Sequence, residues 1–242
     1  GEGAWHAAAR LQQADLGAWT AVFPVLGLAG RLDLAAELAG ADLNLAVDGA
    51  DLRWRGEAIG EAALHGQLQA GVARGAMRWG PVQAPHASLG FSLPLTLDPA
   101  APSLTWRHRE PLRLSARAAG LTPARLRPFW RAHPAAAFTV DAQLDAEGTL
   151  GALTGEGRLT GELADGDRPP LPLAAALKVR PRSQRLEASV GPAIKLSATT
   201  RLPLLAWREG EAHPGTAEVA GALALAVPLT TLAPYLPGDL YA

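Results

Sequence analysis

An all-β fold, one elongated antiparallel sheet carrying a few short amphipathic helices, is what this sequence predicts. Three observations lead there. Apolar and polar residues alternate with period two over most of the 242 residues, which places one apolar and one polar face on each strand. Turn-forming pieces (Gly-Ala, Asp-Gly, Gly-Glu) interrupt the alternation at intervals of roughly 8–12 residues, as strands joined by short connections require. The composition is 48% hydrophobic but only 5% aromatic, with 26 Gly and 20 Pro. Such a chain is too apolar to stay disordered and too often interrupted for long helices.

Taken in order, the segment 30–38 sets Leu32 and Leu34 on one face and Arg31 and Asp33 on the other. Segment 42–48 repeats this with Leu43, Leu45 and Val47, and 91–97 with Leu93, Leu95 and Leu97. Leu112 and Leu114 share a face in 111–117, and Val140 and Leu144 in 138–144. Further strands are expected at 158–163, at 176–179 with Leu177 and Val179, and at 185–190. Two more follow, at 193–197 with Ile194 and Leu196 opposite Lys195, and at 221–227 with Leu223, Leu225 and Val227. About 16–20 strands are expected in all. Asp48-Gly49 and Asp165-Gly166 read as hairpin tips, and 157–161 as a glycine turn. Ala and Leu favour helices when judged one residue at a time, but a helix needs apolar spacings of three and four, which the alternation denies.

Three segments break the pattern and read as helices of one or two turns: 14–24, 119–130 and 228–237. Thr122 is a good N-cap with Pro123 in the first helical position, and Asp15 and Thr230 serve the other two. Each segment ends at a proline or a Pro-aromatic element. Judged from Leu16, Leu121 and Leu229, they recur about every 105 residues, a long degenerate repeat of strand, short helix and meandering strands that suits an elongated protein. The chain is therefore read as one continuous β-repeat segment, 1–242, with units at about 9–110 and 111–220 and a partial third at 221–242. It opens in mid-pattern, without a start Met or a signal sequence, and is expected to be a piece of a longer protein.

Other chemistry finds little footing. With no cysteine there is no disulfide, thiolate metal site or cysteine nucleophile. A net charge of −1 gives no field for nucleic acid, and Lys178 and Lys195 are the only lysines among many arginines, a pattern of coding bias. His6, His65, His86, His108, His133 and His213 stand at no metal-ligand spacing. No Gly-x-Ser-x-Gly elbow or dinucleotide loop occurs. Asp42 and Asp48 fall on solvent faces. Trp19 and Trp130 lie on the expected helices, where they would cap or plug the sheet. Trp54, Trp79 and Trp106 each neighbour an arginine, a basis for cation–π contacts. No cofactor is expected, and no enzymatic activity.

The strand-then-helix elements with a leading Leu and a closing Pro (14–24, 120–128 and 228–237), the Gly-x-Leu-x-Leu strands and the 171–177 run resemble the periplasmic repeat region of the TamB family. That family sits within the AsmA-like bridge-type lipid-transfer proteins. The resemblance covers most of the chain and is one of pattern, without a catalytic signature. It implies a sheet folded lengthwise into a U-shaped trough, a β-taco, apolar inside and polar outside. It also implies a periplasmic location within an inner-membrane-anchored protein of a diderm bacterium, phospholipid acyl chains as cargo, and an Omp85-type outer-membrane partner met through parts of the protein outside this chain. The groove lining would then comprise Leu43, Leu45, Val47, Leu93, Leu95, Leu97, Leu112, Leu114, Val140, Leu144, Leu177, Val179, Ile194, Leu196, Leu223, Leu225 and Val227. The physics is compatible: an acyl chain of about 16 carbons recovers on the order of 10 kcal/mol by leaving water. Two other readings are a module that chaperones unfolded outer-membrane strands through open sheet edges and a purely structural β-repeat with a closed core.

Overall fold

In the computed structural model, which describes residues 6–18, 27–98, 103–129, 137–164, 169–192 and 194–200, the period-two segments become antiparallel strands. Fourteen are present among the described residues: β1 His6–Asp15, β2 Leu28–Ala39, β3 Asp42–Trp54, β4 Glu57–Gln69, β5 Val72–Trp79, β6 Ala87–Leu93, β7 Leu95–Asp98, β8 Ser103–Trp106, β9 Leu112–Leu121, β10 Ala137–Gly148, β11 Thr154–Ala164, β12 Leu171–Arg180, β13 Ser183–Val190 and β14 Ile194–Thr200. Twelve form one sheet in sequence order, β1 to β6 and then β9 to β14, while β7 and β8 pair only with each other. Eleven strand spacings make this ladder about 53 Å long.

Two connections show how local chemistry sets the register. The β3–β4 turn has Arg55 at φ 51° and Gly56 at φ 84°, and the β4–β5 turn has Ala70 at φ 48° and Gly71 at φ 75°. Both central residues lie in the left-handed region, the arrangement whose twist matches that of the flanking strands. Glycine takes the second place of each at no steric cost.

The expected hairpin tip Asp48-Gly49 lies inside β3 instead. Gly49 is needed there for space: a Cβ would come within 2.6 Å of Leu52 Cδ1, which folds back over it past a bulge at Asp51. Residues 157–161, expected as a turn, are likewise in mid-strand on β11. Asp165-Gly166 lies outside the described residues. Of the expected helices, residues 16–18 are helical, and Pro123–Leu126 forms α1, shorter than the broken alternation suggested because β9 runs on to Leu121. The Thr122 hydroxyl accepts from Arg125 N at 3.4 Å, with Pro123 at the first position, as read from the sequence. The third helix and the 221–227 strand lie outside the described residues.

The sheet is one layer thick. Among the described residues only Leu68 and Leu112 are buried hydrophobics, with Pro94 fully buried beside them in the chain's exit to β7. Pro94 has no N–H to give a ladder, so the strand breaks there and β7–β8 leaves as a separate hairpin. Arg107, just after β8, ties the hairpin back by donating to Gly71 O. Leu95 and Leu97, expected in the groove lining, therefore belong to this hairpin and not to the twelve-strand ladder.

Candidate functional site

Antiparallel partners share a face, so the register gives the composition of each face directly. One row crosses all twelve strands: Leu11, Leu34, Val47, Leu64, Met77, Leu89, Ala116, Leu144, Gly157, Leu177, Leu186 and Ala198. None is polar. Two residues along each strand, or three across the bulge of β1, a parallel row runs Ala14, Leu32, Gly49, Ala62, Trp79, Ala87, Ala118, Ala142, Leu159, Ala175, Ala188 and Leu196, all apolar or glycine but for the indole N–H of Trp79. The opposite face reads Arg10, Ala35, Ala46, His65, Ala76, Gly90, Ser115, Asp145, Glu156, Lys178, Arg185 and Thr199. The two faces of the sheet thus differ in chemistry along its whole described length.

Exposure shows which way the sheet bends. In a flat single layer both faces meet water equally. Here the apolar positions of β2, Leu32, Leu34, Ala36 and Leu38, are half-buried, while Arg31, Asp33, Ala35 and Glu37 on the other face are exposed. β9 and β11 behave alike. Among the described residues no second layer covers it; the apolar face gains this shelter from curvature, and it is the inside of a trough. Shelter is partial at four places spread along the row, where Leu11 (38%), Met77 (47%), Leu144 (37%) and Leu186 (36%) remain exposed. Such a run of large apolar side chains left to solvent marks a binding surface more often than an ordinary one.

Of the expected lining, Leu43, Leu45, Val47, Leu93, Leu112, Leu114, Val140, Leu144, Leu177, Val179, Ile194 and Leu196 lie on this apolar face. Lys195 is exposed on the polar face, where it pairs with Ser189. Leu223, Leu225 and Val227 are outside the described residues. Sequence reasoning missed Leu11, Leu64, Met77, Leu89 and Leu186. It also missed β4 and β5 as strands, because their inward positions include Ala62, Gly66, Ala73 and Gly75, which carry no alternation signal.

One edge of the trough is spanned by an aromatic clamp. The chain leaving β9 through α1 brings Phe129 to 5.2 Å from the Trp79 ring, edge-on, and to 6.0 Å from the Trp54 ring. Trp54 belongs to β3, four strand spacings from β9, so this segment crosses the chord of the curved sheet. Arg127 pairs with Glu57 at 3.1 Å beside it, Trp79 Nε1 donates to Ile59 O at 2.9 Å, and Arg55 lies 5.1 Å over the Trp54 ring. The signal available in sequence was the Arg-Trp pairs and Pro128-Phe129; their convergence depends on curvature. Phe129→Ala is expected to destabilise the fold by about 1 kcal/mol, because the ring is half exposed and loses two aromatic contacts. The near-ultraviolet circular dichroism of Trp54 and Trp79 should change with it; an unchanged spectrum would show that the clamp does not hold in solution.

His65 sits 2.9 Å from Asp48, and His6 2.9 Å from Glu37, both as exposed pairs on the polar face. Among the described residues no three His, Asp or Glu side chains converge as metal ligands, and no helix is long and apolar enough to cross a membrane. No family model, curated protein or solved structure matches the chain.

Proposed function

We propose that this chain is an apolar conduit of the TamB kind, which seats phospholipid acyl chains in its trough and lets them move along it. In this reading it works in the periplasm, as part of an inner-membrane-anchored protein that meets an Omp85-type partner elsewhere. The observation that supports it is the row of twelve apolar residues running the length of the described sheet, with no layer packed over it among the described residues. A guest moving from strand to strand exchanges one apolar contact for another, so the burial term of ~0.8 kcal/mol per CH₂ stays nearly level along the path. Nothing in the row offers a nucleophile or a general acid. A chaperone role toward unfolded strands is the second reading, favoured by β1, an edge strand whose residues are nearly all exposed.

Lipid extraction and native mass spectrometry of the purified chain test the conduit. Acyl lipid should co-purify, and a photoreactive residue replacing Leu45 should crosslink to lipid. Absence of both, or crosslinks to a nascent barrel protein alone, would overturn it.

A further inference from the structure

The polar face carries a groove of its own. Arg117 of β9 and Arg158 of β11 both pair with Gln143 of β10, one on each side, so the two arginines stand two strand spacings apart in one row. Ser88 pairs with Arg117 on its other flank. The connection between β5 and β6 contributes Pro81, Ala84 and Pro85 as a wall, and Arg125 of α1 closes the end near His86. The Cα atoms of Arg117 and Arg158 are about 9.6 Å apart at this spacing. Two extended guanidinium side chains reach a common point above Gln143 from that distance.

On the same face Arg78, Arg113 and Arg185 have acidic partners, Glu61, Glu147 and Glu187. In the groove, Arg117 has no ion pair among the described residues, and Arg158 meets only Glu156, two residues along its own strand, at 4.0 Å. Arg125 Nη1 donates to Gly120 O at 2.5 Å. The one acid in the groove is Asp141, one of whose oxygens accepts from Gly120 N at 2.7 Å. The groove lining thus holds three guanidinium groups and one carboxylate, with Glu156 beside Arg158 and Asp145 accepting from Gln143 Nε2 at 2.7 Å at its border. Partial burial and then the charge of Arg125 hold the His86 imidazole below its ordinary value.

We propose that this groove binds a phosphate group through Arg117 and Arg158, with the Ser88 hydroxyl as a neutral hydrogen-bonding partner. The planar forks of two arginines match a tetrahedral oxyanion from both sides, which a single lysine ammonium does not. The site lies on the face opposite the apolar row and stands whether or not the trough carries lipid. Two sources supply this chemistry, a free phosphate or phosphoester and the headgroup of an anionic phospholipid at a membrane surface.

The test uses the full 242-residue chain. Inorganic phosphate is titrated against it by NMR, and flotation is measured with vesicles of phosphatidylcholine alone and of phosphatidylcholine with phosphatidylglycerol. The chain should bind phosphate, or float only with the anionic vesicles, and the double variant Arg117→Gln, Arg158→Gln should weaken that binding at least about tenfold, as loss of charged hydrogen bonds predicts. Arg117→Lys, which keeps charge but not the fork, should give an intermediate loss. Arg185→Gln, elsewhere on the polar face, should leave it unchanged. Saturable phosphate binding identifies a free phosphoryl ligand, and flotation without it identifies the headgroup; both support the site. Failure to bind either, or an equal loss in Arg185→Gln, would overturn it in favour of diffuse surface charge.

Discussion

Leu177→Asp should empty the trough of lipid while leaving the chain folded. Leu177 lies in the central row between Gly157 and Leu186, and Ala175 and Val179 are its half-buried neighbours on the same face. A carboxylate there meets the passing acyl chain, and an ion against hydrocarbon without a partner is strongly disfavoured. Because no second layer presses on this face, the carboxylate keeps access to water when the trough is empty. The expected cost to stability is therefore modest, about 1–2 kcal/mol, in the usual range of point substitutions. Lipid recovered per mole of purified protein should fall more than about tenfold, the ratio that 1.4 kcal/mol of lost binding produces. Leu196→Asp, in the parallel row, should act alike. Lys195→Asp, one residue away on the polar face, should retain lipid at the unsubstituted level. Undiminished lipid in Leu177→Asp, with circular dichroism showing an intact sheet, would rule out passage along this row.

Gly161→Val is expected to be the most damaging single change to the fold. Gly161 sits in β11 between Val140 of β10 and Leu173 of β12. A Cβ at this position would lie 2.2 Å from Thr139 O and 2.8 Å from Val140 Cγ1, and the first of these is backbone that cannot swing away. The two strands must then part. Overpacking costs typically about 1–3 kcal/mol, and the extra methyl groups of valine place this case at the upper end. Thermal unfolding should shift down by about 6–12 °C for a chain of this size. Hydrogen exchange gives the sharper readout: amides of β10 and β11 should lose protection first, since each strand draws its support from the two beside it. A melting temperature within experimental error of the unsubstituted chain would contradict the close approach of β10 and β11.

Much of this architecture was legible in the sequence, and particular residues show why. Leu43, Leu45 and Val47 alternate with Asn44 and Asp48, so both the strand and its apolar side could be read from five letters. Thr122-Pro123 likewise announced its helix start. The ends of elements were harder. Asp48-Gly49 has the composition of a hairpin tip, yet its glycine answers to the crowding of Leu52, a contact made only after a bulge turns the strand. β4 escaped notice because Gly66 and Ala62 fill inward places with almost no side chain, and a position that buries little leaves little trace. The Phe129 clamp depends on β9 and β3 approaching across the curve, a distance that spacing along the chain does not encode. The arginine groove is a matter of register: Arg117 and Arg158 lie 41 positions apart and meet only because Gln143 stands between them.

Since β12 and β13 pair only with each other and with β11 and β14, they form a removable unit. Deleting the pair would bring β14 against β11 with its direction preserved and Leu159 facing Leu196, through the partners Ala175 and Ala188 that now stand between them. The span would shorten by two strand spacings, about 9.6 Å, with the cross-section unaltered. Such a sheet behaves as a gauge graduated in hairpins, whose reach is reset by whole insertions or deletions while its bore stays fixed.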